Sequence, residues 1–287
     1  MNYTDKAEIL KENLRELDMR ANATAEQRVI ILDELAKLIC IQHPEKDPKE
    51  LSRIFFSNID KPSPYDAISI CKEISCRPSF QDGLKRLLLI GSNEDTPAGS
   101  HGKIAYTKNK FNDLAIEAFV DATNNAKPIS VPSNIEACET VWNGSCEFCL
   151  LPVENTRDGK IFSFYSMIER FELKICRVKT LDTDSELGSI RYALLSRSCN
   201  NLTSRAKRQE HVFEFSLISK DGTFIFDLLN AARRCNASLL SVDSRPVEYD
   251  TQLRRYFFSF LICDGPIFRI YVATSYPSYS PIGFYLK

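Results

Sequence analysis

The chain has 287 residues, 44% hydrophobic and 26% charged, which is the make-up of a soluble globular protein with room for two or three domains. Its formal charge of -1 gives no overall field to draw in nucleic acid or an anionic membrane, and no apolar run approaches the roughly 20 residues that a membrane helix needs. The opening MNYTDKAEILKENLRELD is charged throughout and lacks the apolar centre of a signal peptide, so a cytoplasmic protein with no membrane partner is expected.

Residues 1–92 read as a helical region. Thr24-Ala-Glu-Gln27 is a capping box ahead of VIILDELAKLI, Asp47-Pro48 opens a helix over Lys49–Ser57, and Ser63-Pro64-Tyr65-Asp66 opens another. Ser79 to Asp82 precede LKRLLLI, and GSNEDTPAGSHG, Gly91 to Gly102, has linker composition. Four basic residues of the region, Lys72, Arg77, Lys85 and Arg86, are balanced by nearby acids, which favours packed structural helices over a DNA-reading face.

Over residues 101–198 strands alternate with helices. KIAYT is a strand, then Phe111, Leu114, Ala115, Ala118 and Phe119 mark one helical face. PISV follows, and Ser133-Asn-Ile-Glu136 caps a helix carrying Ile135, Cys138 and Trp142 on one side. FCLLPV is a continuous apolar strand of the kind covered on both faces. A helix from about Lys160 with the stripe Ile161, Phe164, Tyr165, Ile168 and Phe171 comes next, then strands KICRVKT and SIRYALLS. This is α/β winding.

After a polar segment at 199–210, residues 209–287 read as a small α+β unit. HVFEFSLIS is a strand, a turn at Asp221-Gly222 leads to a helix with Phe224, Leu228, Ala231 and Cys235 on one face, and SLLSV, RYFFSFLI and IFRIYVA read as three strands. The tyrosines Tyr271, Tyr276, Tyr279 and Tyr285 then belong to a C-terminal tail expected to pack on a dimer edge.

Ten cysteines scattered through apolar runs read as reduced core thiols. The single CxxC, Cys146 to Cys149, has no second CxxC and no histidine near it in sequence, so core packing is favoured over a metal or redox pair, and no cofactor is expected.

In a wound α/β sheet, ligands sit beyond the carboxyl ends of the strands. Glu154-Asn155-Thr156 stands at such an end, between FCLLPV and a helix. Asn and Thr can hydrogen-bond a carboxylate or hydroxyl, and free helical N–H groups favour an anion. The same residues also make a good turn and helix cap, and both readings stay open.

Together the stretches KIAYTKNKFNDLAIEAF, VPSNIEACETVWNGSCEFCLLPVENTRDG and LKICRV resemble the first lobe of prephenate dehydratase, which has an E-N-S/T-x-x-G turn after an apolar strand. The C-terminal unit resembles the ACT domain that follows it. FSLISKDGTFIFDLL stands at the family's P-G-A-L turn, Asp243-Ser244-Arg245-Pro246 at E-S-R-P, and Ser275-Tyr276-Pro277 at G-S-Y-P. The resemblance runs from Lys103 to Pro277. It implies a helical N-terminal region, a shortened periplasmic-binding-protein-like α/β lobe and a ferredoxin-like ACT domain. If active, catalysis would fall to Glu154, Asn155 and Thr156. A phenylalanine-like ligand would lie at Gly222, Thr223, Asp243, Ser244 and Arg245, between ACT units of a homodimer.

The departures point away from catalysis. Where the family has the threonine of T-R-F, this chain has Ile190-Arg191-Tyr192, and neighbouring Ser189 faces the other side of its strand. LDTDSELG stands where the family has most of its second lobe, and Lys108-Asn-Lys-Phe-Asn replaces a Gly-rich loop. The expected function is therefore non-catalytic binding of an aromatic amino acid, a prephenate-like molecule or a partner protein. The alternatives are an active dehydratase converting prephenate to phenylpyruvate, and a helical DNA-binding or docking module under ACT control.

Overall fold

In the computed structural model, residues 24–59, 62–88, 102–123, 125–157, 159–183, 188–197, 210–247, 250–263 and 265–287 are described. The chain divides into two compact units between Gln81 and Asp82. The sequence-predicted linker Gly91–Gly102 and the polar segment 199–210 lie, Gly102 and Glu210 apart, outside the described residues.

Among the described residues the first unit contains the α-helices α1 (24–42), α2 (Pro48–Ser57) and α3 (Ala67–Cys76). The Asp47 side chain accepts hydrogen bonds from the Lys49 and Glu50 amides, and Pro48 occupies the first turn, where its missing N–H costs nothing. Ser63 and Asp66 form a reciprocal capping box, and Arg28 of α1 reaches Asp66 at 2.6 Å. Leu51, Phe55, Ile70, Cys71 and Ile74 are fully buried between the helices. α4 (Gln81–Leu87) lies at the division.

The second unit is built on one ten-stranded mixed sheet. In chain order it contains β1 (Lys103–Thr107), α5 (Lys110–Phe119), β2 (Lys127–Val131), α6 (Asn134–Trp142), β3 (Phe148–Asn155), β4 (Gly159–Lys160), α7 (Phe162–Arg170), β5 (Lys174–Asp182) and β6 (Ser189–Ser196). β7 (His211–Ser219), α8 (Phe224–Arg234), β8 (Ala237–Val247), β9 (Asp250–Ile262), α9 (Ile267–Ser275) and β10 (Ser280–Leu286) complete it. The strand order is β2-β1-β3-β6-β5-β10-β7-β9-β8, with the short β4 paired to β3. β1 pairs parallel with β2 and β3, which the crossovers through α5 and α6 allow, and β6 pairs antiparallel with both β3 and β5.

One face of the α/β half is covered by α5, around Ile104, Phe119, Leu150, Tyr192 and Leu194. The other is covered by α6 and α7, and this core runs on without a break into Val212, Phe257, Ile282 and Tyr285 of the C-terminal strands. Those strands and helices follow the order β7-α8-β8-β9-α9-β10, a split βαβ pattern with the strands arranged β10-β7-β9-β8. The two halves join where β10 runs parallel to β5, Gly283 opposite Ile175.

Several expectations are corrected. IFRIYVA is the helix α9, not a strand, and Phe268 to Ala273 are all buried, which erases the period that distinguishes helix from strand. The supposed tail is the interior strand β10, so Tyr285 is a core residue rather than part of a dimer edge. α5 turns inward with Asn112, Ala115, Ile116 and Phe119, leaving Leu114 49% exposed. The reason is polar: Asn112 donates to the Thr107 carbonyl at 2.5 Å and accepts from the Tyr192 hydroxyl at 2.9 Å, which fixes the helix rotation. α6 packs through small Ala137, Cys138 and Val141, and Ile135 and Trp142 stay exposed. Cys146 and Cys149 are buried, and burial pushes both thiols up, away from the reactive thiolate.

Candidate functional site

The polar residues at the carboxyl ends of the parallel strands are committed to one another. Thr107 at the end of β1 donates to Asn134 at 2.9 Å, and Asn109 caps α5 through the Asn112 amide. Ser133 caps α6 by accepting from the Glu136 amide at 3.2 Å.

Glu154-Asn155-Thr156 does not cap the following helix. β3 extends to Asn155, doubles back through β4, and α7 starts only at Phe162, with Ile161 as an N-cap that offers no side-chain hydrogen bond. The turn instead latches onto β6. The Thr156 hydroxyl donates to the Ser189 carbonyl and accepts from the Ser189 amide, both at 3.0 Å, and the Thr156 amide also bonds that carbonyl. Gly188, with φ of +65°, sits against Thr156, and a Cβ there would stand 3.2 Å from the Thr156 Cβ. Asn155 lies opposite Gly159 and Ile190 in the ladders. Ile190 is buried in the core beneath α5, and the Ser189 hydroxyl donates to Asp182 at 2.6 Å.

Glu154 is the half-buried end of a polar network that crosses the sheet to buried Glu214 and Tyr285. Arg191 of β6 lies 3.6 Å from Glu154 and 3.5 Å from Glu214 of β7, and donates to the Tyr285 hydroxyl of β10 at 2.9 Å. Tyr285 in turn donates to Glu214. Burial alone would lower the Arg191 guanidinium pKa; the phenol of Tyr285 and the carboxylates of Glu214 and Glu154 outweigh it and hold the charge on.

Burial, with Glu214 nearby, raises the phenols of Tyr165 and Tyr285 well above the ordinary range, and burial pushes Tyr192 up to about 12. Each phenol therefore keeps its proton more firmly folded than unfolded. The stability this represents is whole below the ordinary tyrosine value of about 10 and is lost as pH climbs toward the folded values. Urea unfolding followed from about pH 8 to about pH 12 will show stability falling by ~1 kcal/mol or more per unit above about pH 10. A flat profile there, with tyrosinate absorbance rising at ordinary pH, would contradict it.

Of the residues expected at a second site, Thr223 donates through amide and hydroxyl to Asp221, which holds that exposed carboxyl below its usual value. Gly222 lies near the Tyr256 hydroxyl, and Ser244 is directly across the ladder from Tyr256, bonded by Arg254 at 2.9 Å. Asp243 and Arg245 project from the opposite sheet face, as strand alternation dictates. Arg245 lies over the Phe257 ring at 4.7 Å and the Tyr165 ring at 6.0 Å, and donates to Ser166 at 3.5 Å. The strand thus separates the five residues into two groups.

A cavity of about 460 Å³ lies on this second face, between α7 and the strands β5, β7, β9 and β10. Its apolar wall is Tyr165, Ile168, Phe257 and Ile282, and its charged groups include Lys174, Arg197, Arg255, Glu169 and Glu172. The sequence marks Tyr165 and Ile168 only as part of a helix stripe and gives the charged groups no role. The one available signal was Arg255, a charge inserted into RYFFSFLI on the side of Phe257 and Ser259. A shallower groove of similar volume runs between the start of α6 and α7, lined by Ser133, Ile135, Ser163 and Met167. Among the described residues no helix is long and apolar enough to cross a membrane, and no group of three or more His, Cys, Asp or Glu side chains is placed to hold a metal ion.

No protein-family profile and no curated protein matches the chain. Solved structures do. The prephenate dehydratase of Arthrobacter aurescens, in complex with L-Phe, aligns over 64% of this chain and 90% of its own at 14% identity and a TM-score of 0.52. The prephenate dehydratase of Streptococcus mutans aligns over 64% and 97% at 15% identity and a TM-score of 0.50. GqqA, described as a novel type of quorum-quenching acylase, aligns over 65% and 95% at 14% identity and a TM-score of 0.51. The fold is prephenate dehydratase-like. In this dehydratase-like sheet β5 ends at Asp182 and β6 begins at Ser189, so one short connection spans them.

Proposed function

We propose that the chain is a non-catalytic prephenate dehydratase-like protein that binds an aromatic amino acid or a prephenate-like acid. Its C-terminal split βαβ unit is read as a ferredoxin-like ACT domain through which two copies pair. The observation that carries the loss of catalysis is the state of Thr156. Its hydroxyl both donates to and accepts from the Ser189 backbone. The family threonine is Ile190, itself buried. A proton donor for a leaving hydroxyl must be free to reach it, and neither position offers one. The ligand class is supported by the L-Phe held by the similar Arthrobacter enzyme. Pairing is supported by β8, the last strand in the sheet order among the described residues, which exposes Leu240 and Val242.

Thermal unfolding of the full chain with millimolar L-phenylalanine, L-tyrosine or prephenate tests this reading. Ligand at 100 times its dissociation constant adds about 2.7 kcal/mol to stability. A higher midpoint with any of the three, without conversion of prephenate to phenylpyruvate, is the expected result. Turnover of prephenate that Thr156→Ala removes would overturn it, as would an unchanged midpoint with all three.

A further inference from the structure

We propose that the cavity at the junction of α7 with the C-terminal strands is the binding site for a small zwitterion with an apolar body, an apolar α-amino acid. Its volume of about 460 Å³ falls in the range of small-molecule sites. Its chemistry has three parts. Tyr165, Ile168 and Phe257 form a wall with Tyr165 and Phe257 in ring contact at 4.8 Å, suited to an apolar or aromatic side chain. Arg255 and Arg197 present guanidinium groups, which suit a carboxylate. Glu172 and Glu169 supply carboxylates for an ammonium group. A ligand of single charge would leave one of these sets facing its own sign.

Two details distinguish this cavity from a chance gap. Arg255 is presented from mid-strand, anchored by Ser216 at 3.2 Å and by Glu169 at 2.5 Å. Its side chain is 15% exposed while that of Glu169 is 52% exposed, so the carboxylate can turn toward a ligand while the guanidinium stays in place. Glu172 has φ of +53°, one residue past the Phe171 C-cap of α7, where glycine sits without strain. The fold therefore carries a strained residue with a carboxylate at the cavity, which is where strain and function tend to coincide. The cavity also bridges the two halves of the sheet. Lys174 of β5 donates to the Pro281 carbonyl of β10 at 3.0 Å along its edge, so an occupant bears on both.

This assignment rests on the small-molecule reading above, and calorimetry on the full chain separates the two. L-phenylalanine, phenylalaninamide and 3-phenylpropionate are titrated into the wild type, Arg197→Ala and Glu172→Gly, with melting curves recorded for each. Wild type should bind L-phenylalanine at least about tenfold more tightly than either singly charged analogue. Arg197→Ala and Glu172→Gly should each weaken it by about tenfold or more. Glu172→Gly should melt higher than wild type while binding less, a split that a purely structural role would not produce. Undiminished binding in both Arg197→Ala and Glu172→Gly would overturn the site and leave the ligand reading standing. No binding of L-phenylalanine by the wild type, together with no shift from L-tyrosine or prephenate, would overturn both.

Discussion

Replacing Arg191 with leucine will destabilise the protein by about 3–5 kcal/mol at neutral pH. The guanidinium is the positive partner of Glu154 and Glu214 and donates to Tyr285, and the Glu214 side chain is only 7% exposed. Removing the charge leaves a carboxylate far from solvent, and the cost is that of an uncompensated buried ion rather than of one lost contact. The pH dependence identifies the cause. Without Arg191 the Glu214 carboxyl becomes easier to protonate folded than unfolded, so its folded pKa rises above the unfolded value of about 4.3. The deficit will therefore be small at about pH 4 and grow as pH rises through the shifted value. Glu214→Leu added to Arg191→Leu should recover more than half of the loss, because an apolar pair in a buried site is often as stable as the ion pair it replaces. Urea unfolding at about pH 7 and about pH 4 measures both. An equal deficit at the two pH values would assign the effect to packing and sink the charge argument.

The contrast between β3 and β10 explains what could be read from sequence. FCLLPV is apolar without interruption, which identifies an interior strand on its own. SPIGFYL carries Pro281 and Gly283, residues that argue against an interior strand, yet it lies between β5 and β7. Pro281 is accommodated at the irregular register between Pro281 and Gly283, where the ladder to β7 shifts. IFRIYVA failed for the opposite reason. Every side chain from Phe268 to Ala273 is buried, so the segment shows no period, and β-branched and aromatic residues then tip the reading toward strand. The deciding cues were local: Gly265 at φ of +59°, and Pro266 at the N-cap. At the candidate site, the position of Glu154-Asn155-Thr156 was legible because α/β winding fixes where strand ends fall. Its occupancy was not, since Thr156 is bonded to Ser189, 33 residues away in sequence. The cavity was the least legible feature, because its charged groups come from α7, β5, β9 and the residue after β6, and no short motif brings them together.

Gly283→Ala is expected to lower stability by about 1–3 kcal/mol or more, the cost of forcing an extra methyl into a packed interior. A Cβ at this position would stand 2.7 Å from the Ile175 Cβ and 2.9 Å from the Ile175 carbonyl oxygen. The second of these is backbone, so no rotamer change relieves it, and one strand must move. Gly283 and Ile175 are the register pair that joins β10 to β5, which makes this the point where the α/β sheet and the C-terminal strands become one. Displacing β10 here would also disturb Tyr285, two residues on, and its hydrogen bond from Arg191. The loss should therefore exceed that of alanine at Gly222, whose Cβ meets nothing closer than 3.4 Å. Urea unfolding of Gly283→Ala, Gly222→Ala and the wild type gives the comparison. If the seam is as tight as Gly283 indicates, Ile175→Ala in the Gly283→Ala background will be less costly than the sum of the two single changes, because removing the Ile175 side chain beyond its Cβ lets the strands relax apart. Strict additivity would mean that the alanine methyl is absorbed elsewhere and that the halves are not locked through this pair.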